Sequence, residues 1–129
     1  MPQVADQLDS VVPVLQRARS VYIATHIAPD GDAIGSTLGL GAMMRDLGTE
    51  CTLACADAVP MSLRFLPGSD AIIADPPSGQ ELIVVLDTGD TDRLGDIYTA
   101  QFYNGRPVIN IDRHLTNSRF GTINVIDTQ

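Results

Sequence analysis

Val21-Tyr22-Ile23-Ala24-Thr25-His26-Ile27-Ala28-Pro29-Asp30-Gly31-Asp32-Ala33-Ile34-Gly35-Ser36 is the stretch whose reading decides the fold. Its first four residues are all apolar, as in a parallel strand covered on both faces. The run that leaves it, Thr37-Leu38-Gly39-Leu40-Gly41-Ala42-Met43-Met44-Arg45, reads as a helix over about 33–47, stopped by Gly48. One histidine and two aspartates therefore sit on a strand-to-helix loop. In an open α/β sheet ligands bind there, beyond the carboxyl ends of the strands. Imidazole nitrogen with carboxylate oxygen suits manganese, iron or zinc. In extended backbone Asp30 and Asp32 would point to one side. On a tight loop turned by Gly31 they can instead reach two neighbouring metal positions. Asp-Gly alone is ordinary turn chemistry. The full His-x-x-x-Asp-x-Asp spacing between strand and helix favours metal.

The strand-then-acid pattern recurs twice. Glu81-Leu82-Ile83-Val84-Val85-Leu86-Asp87 is the clearest strand and ends in a carboxylate. Pro107-Val108-Ile109-Asn110-Ile111-Asp112 repeats it and runs into Arg113-His114. Parallel strands would bring Asp87 and Asp112 to the edge that carries Asp30 and Asp32. Asp90 reads as the cap of a short helix after Asp87. Further strands are expected at 50–54 and 122–126, with at best a short one at 72–74. Residues 3 to about 18 have helical spacing, with Pro13 as an expected break. Gly39 and Gly41 suggest close helix-to-sheet packing; for Gly35 packing and approach to a ligand weigh equally. Strands alternating with helices predict one α/β domain over 1–129: a Rossmann-like, mainly parallel five-stranded sheet with helices on both faces.

Composition narrows the function. With 44% apolar residues the chain reads as globular. No apolar run approaches the ~18 to 20 residues of a membrane span, and the N-terminus lacks a signal-peptide pattern, so the cytoplasm is expected. The net charge of -8 disfavours a duplex-binding surface. All eight basic residues are arginines, and a local group of them could still hold a small phosphate ester. Cys51 and Cys55 fall on one strand roughly 13 Å apart, too far for a disulfide.

Taken together, the three strand tips resemble the DHH phosphoesterase family, over about Val21 to Asp127. The chain is most similar to the branch that degrades very short RNAs and dephosphorylates 3'-phosphoadenosine 5'-phosphate. His26 to Ser36 resembles the first motif. Leu86-Asp87-Thr88 with Asp92-Arg93-Leu94-Gly95 resembles the second. Val108 to His114, with Thr116-Asn117 and Phe120-Gly121, resembles the third. The resemblance implies a manganese pair that activates water for attack on phosphorus. His26 and Asp30 would hold one ion, Asp32 the other, and Asp87 would bridge them. His114 would lie near the substrate phosphate and Asp112 would orient the third motif. Two departures matter. Arg113 stands where the family has a histidine ligand of the second ion, and arginine cannot coordinate a cation. The family's further metal-binding aspartate and its substrate-holding second domain lie beyond the 129 residues.

The expected function is thus a manganese-dependent phosphoesterase domain acting on short oligoribonucleotides or 3'-phosphoadenosine 5'-phosphate. One Mn²⁺ rather than two is expected, with weak or no turnover. The expected partner is a small phosphate ester or very short RNA. Duplex nucleic acid and membrane are not expected, and a homodimer is allowed but not required. The alternatives are a non-catalytic phosphate- or nucleotide-binding regulatory module, and a metal-free nucleotide-binding domain. The missing glycine-rich fingerprint counts against the last.

Overall fold

A computed structural model describes residues 4–128. Helix α1 (Val4–Arg17) precedes β1 (Ser20–Ala24), α2 (Gly31–Asp46), β2 (Glu50–Ala54), β3 (Leu82–Leu86), β4 (Val108–Asp112) and β5 (Ile123–Ile126). Short 3-10 helices lie at Met61–Leu63, Ser69–Ala71 and Thr91–Ile97. The five strands form one parallel sheet in the order β2-β1-β3-β4-β5. The expected strands hold to within a residue at each end. Residues 72–74 reduce to one isolated bridge between Ile73 and Ala54.

Side chains alternate across the sheet. Val21, Ile23, Leu82, Val84 and Ile109 face Val11 of α1 and Met44 of α2. Tyr22, Ala24, Ile83, Val85 and Val108 face Leu94 and Ile97 of the Thr91–Ile97 helix and Phe102. The two α-helices thus share one face, and a 3-10 helix covers the other. Every residue of β3 is buried, which is why its sequence is apolar without alternation. Tyr22, fully buried, donates its hydroxyl proton to the Asp75 carbonyl, and burial first of all pushes its pKa up.

Three local expectations are settled by packing. α1 runs unbroken through Pro13. Pro13 and Asp9 are both exposed, so water can take the carbonyl left without a helical partner. Gly41 packs as expected: a Cβ there would lie 2.9 Å from Leu53 Cδ2. The packing reason fails for Gly39, which is exposed and whose Cβ would meet nothing within 4 Å. Gly48 ends α2 with φ at +86°. Its N–H donates to the Arg45 carbonyl at 2.9 Å and that of Thr49 to the Met44 carbonyl at 3.0 Å, a Schellman closure. Gln3, the first residue of the expected helix, lies outside the described residues.

The strand order creates the site. β1 crosses to β2 through α2 on one face. β3 crosses to β4 through the 3-10 helix on the other. The chain leaves the adjacent tips of β1 and β3 in opposite directions and opens a crevice between them, the usual ligand position in such sheets.

Candidate metal centre

Each site residue is placed by backbone chemistry. Asp30 is the N-cap of α2: its Oδ1 accepts from the Ala33 N–H at 2.9 Å. That bond, more than the charges of His26 and Arg113, holds its carboxyl below the usual range. α2 therefore begins at Gly31, two residues earlier than its apolar pattern suggests. His26 is buried just past β1, and its Nδ1 lies 2.6 Å from the Ile27 carbonyl. Nδ1–H is the donor there, which leaves Nε2 with a lone pair facing the crevice. Asp87 follows β3 with φ at +56°, a left-handed conformation that Asp tolerates better than most residues. The turn is pinned by the Asp87 N–H to the Ile111 carbonyl at 3.0 Å and by the Thr25 and Thr88 hydroxyls, each 2.9 Å from the Leu86 carbonyl. Backbone strain of this kind gathers at functional sites.

The crevice brings most of these groups together. His26 Nε2 lies 3.5 Å from Asp87 Oδ2 and 4.0 Å from Asp30 Oδ1. Asp32, in the first turn of α2, is not one of this trio and meets Arg113, Nη2 to Oδ2, at 2.9 Å. Arg113 Nε also reaches Asp87 Oδ1 at 3.2 Å. The Asp87 bond, then the charges of Asp87 and Asp32, hold the guanidinium firmly protonated.

His114 stands across the cleft. Its Nδ1 lies 2.6 Å from Asp112 Oδ1, whose side chain is fully buried at the end of β4. Asp112 Oδ2 accepts from Asn117 Nδ2 at 2.7 Å, and the same amide lies 2.7 Å from Asn110 Oδ1. Asn110 in turn donates to the Val85 and Thr88 carbonyls at 3.2 and 3.1 Å. The network fixes the imidazole with Nε2 outward.

Two clefts flank Asp87 and Arg113. One, of about 300 Å³, is lined by His26, Asp30, Asp90, Arg93, His114 and Thr116. The other, of about 370 Å³, is lined by Asp32, Ser36, Asp112 and Asp127. Sequence reading passed over Arg93, Asn110 and Asn117 as site residues. Asn110 had a signal: it is a fully buried amide inside an otherwise apolar strand, and such a group must be hydrogen-bonded. Arg93 and Asn117 had their place in the second and third motifs as a signal, though neither side chain carried an expected role.

A model of the DHH family, N-terminal domain, matches residues 20–129. The chain belongs to the DHH family. Over 131 residues it is 40% identical to the bifunctional oligoribonuclease and PAP phosphatase NrnA of Thermus thermophilus, covering 98% of this chain and 38% of that protein. The corresponding Bacillus subtilis protein is 28% identical over 109 residues, covering 84% of this chain and 34% of its own. An exopolyphosphatase-related protein from Bacteroides fragilis, known from its crystal structure, matches with a TM-score of 0.84 at 27% identity. That match covers 96% of this chain and 39% of the other. The DHH chain therefore spans little more than a third of the length of its curated relatives.

The DHH family is metal-dependent, and this chain's residues can be tested for fit to an ion. Ligand atoms sharing one ion at ~2.1 Å stand roughly 3 to 3.5 Å apart. His26 Nε2 and Asp87 Oδ2 already meet that, and Asp30 Oδ1 is half an ångström wide of it. With imidazole and two carboxylates converging, the first position fits. Asp87, Asp112 and His114 form a second such group, but His114 Nδ1 and Asp112 Oδ1 are already bonded to each other at 2.6 Å; a position between Asp32 and Asp87 does not fit, because Arg113 is paired with both.

Proposed function

We propose that this DHH chain is the metal-binding part of a manganese-dependent phosphoesterase acting on the phosphate esters of small nucleotides: very short RNA or 3'-phosphoadenosine 5'-phosphate. The observation that carries it is the convergence of His26, Asp30 and Asp87 at the strand switch point, facing His114 and Arg93 across one cleft. The names of the relatives support the substrate class. Bound at His26, Asp30 and Asp87, Mn²⁺ would supply Lewis-acid charge to a phosphoryl oxygen and acidify water. Arg93 and Arg113 give the cleft the cationic wall that a phosphate ester needs in a chain of net charge -8. With Nδ1 donating to Asp112, His114 Nε2 is held outward and, as the imidazolium, would donate a hydrogen bond or a proton to a phosphate or leaving oxygen. Asp112 is a positioning residue, buried behind the imidazole.

Turnover by this chain is weak in our reading, because the guanidinium of Arg113 replaces a ligand. We infer the cytoplasm as compartment. No helix among the described residues is long and apolar enough to cross a membrane. The test is hydrolysis of a 5'-phosphorylated dinucleotide and of 3'-phosphoadenosine 5'-phosphate, with Mn²⁺ or with chelator. Slow, Mn²⁺-dependent release of product that Asp87→Asn abolishes is expected. Activity indifferent to chelator, or to Asp87→Asn, would refute the reading. Tight phosphate binding without any turnover would favour the regulatory module instead, a reading that the ion pairs of Arg113 support.

A further inference from the structure

We propose that the guanidinium of Arg113 is a resident cation in the second half of this centre, so that the domain takes one divalent ion. The inference rests on the metal reading above. Arg113 Nε lies 3.2 Å from Asp87 Oδ1 and Nη2 lies 2.9 Å from Asp32 Oδ2. These two nitrogens form one edge of the planar group, so a single edge joins both carboxylates. The oxygens it meets are those a second ion would have to share. The other oxygen of Asp87, Oδ2, faces His26 Nε2 at 3.5 Å. Asp87 is thereby divided, with one oxygen toward the first ion and one toward the guanidinium.

Arginine stays protonated and has no lone pair for a metal. Its backbone is fixed on both sides. Asp112 is anchored by Asn117 and by its carbonyl, which accepts from the Asp127 N–H at 3.0 Å; His114 is tied to Asp112. The side chain is itself 60% exposed and lines both clefts, so it forms a wall between them. The ion belongs on the His26 side of that wall. The Asp32 side is held by the arginine.

The test is Mn²⁺ titration of the full 129-residue chain by calorimetry, with paramagnetic resonance of the bound ion. Wild type should take one equivalent and give the spectrum of an isolated Mn²⁺. Asp32→Asn should also take one, with affinity changed by no more than about threefold, since it loses only an exposed ion pair to Arg113. Arg113→His should take a second equivalent and show a spin-coupled pair. Two equally tight ions in wild type would overturn the proposal. So would loss of binding in Asp32→Asn, or a single equivalent in a folded Arg113→His. If Arg113→His does not fold, wild-type stoichiometry and Asp32→Asn decide between the same outcomes. A wild type that binds no Mn²⁺ at all would instead overturn the metal reading on which the proposal rests.

Discussion

Asp30 has two jobs, and two substitutions separate them. As N-cap of α2 it accepts the Ala33 N–H; as the proposed ligand it would offer an oxygen to the ion. Removing an N-cap carboxylate costs about 1 kcal/mol, whereas Asn caps nearly as well and gives up only a few tenths with its charge. At roughly 2.1 cal/mol/K per residue, a chain of this length loses ~4 °C of Tm per kcal/mol. Mn²⁺ at one hundred times its Kd adds about 2.7 kcal/mol, or ~10 °C. Differential scanning calorimetry with chelator and then with Mn²⁺ should therefore give three patterns. Wild type gains ~10 °C with metal. Asp30→Asn melts near wild type in chelator and gains little. Asp30→Ala melts ~4 °C lower in chelator and gains little. A full Mn²⁺ shift in Asp30→Asn would refute the ligand role. An unchanged chelator Tm in Asp30→Ala would refute the cap. The pH sign follows from a carboxyl whose folded pKa is depressed. Its contribution is complete above about pH 4 and is lost as pH falls through the folded value. The gap between wild type and Asp30→Asn in chelator should close on acidification.

Gly41→Val should destabilise by about 1–3 kcal/mol, read by urea unfolding, because its side chain would drive into Leu53. Asp112→Ala should cost about 1–3 kcal/mol by the same measurement, since it leaves the Asn117 amide without one of its buried acceptors; it should also lower phosphate affinity by freeing His114. Cys55 is buried, its thiol pKa is raised by that burial, and it donates to the His26 carbonyl at 3.2 Å. Ellman's reagent at neutral pH should therefore leave Cys55 unmodified until urea unfolds the chain, and rapid native labelling of it would contradict the packing.

The fold was legible because the strands are short, largely apolar segments between polar turns, and β3, apolar throughout, admits no other reading. The candidate site was legible because three of those segments end in ionisable residues. What the sequence hid lies in geometry between elements. Nothing local says that α2 starts at Gly31, since the start depends on Asp30 turning back to cap Ala33. Pro13 reads as a break because its exposure, which makes it tolerable, is a tertiary fact. Gly39 and Gly41 look alike in sequence, and only the position of Leu53 separates them. Arg93 lies in the second motif's stretch, but only the turn of the Thr91–Ile97 helix brings its side chain to the cleft. The division of Asp87 between His26 and Arg113 depends on which oxygen faces which neighbour.

The central claim is an ion held by His26, Asp30 and Asp87 at the crevice between β1 and β3. Its most direct test is manganese anomalous scattering from crystals of this chain grown with Mn²⁺. The account predicts one strong peak about 2.1 Å from His26 Nε2 and from a carboxylate oxygen of each of Asp30 and Asp87, with Arg113 still on Asp32. A peak at Asp32 with Arg113 swung away, or no peak beside His26 at saturating Mn²⁺, would contradict it.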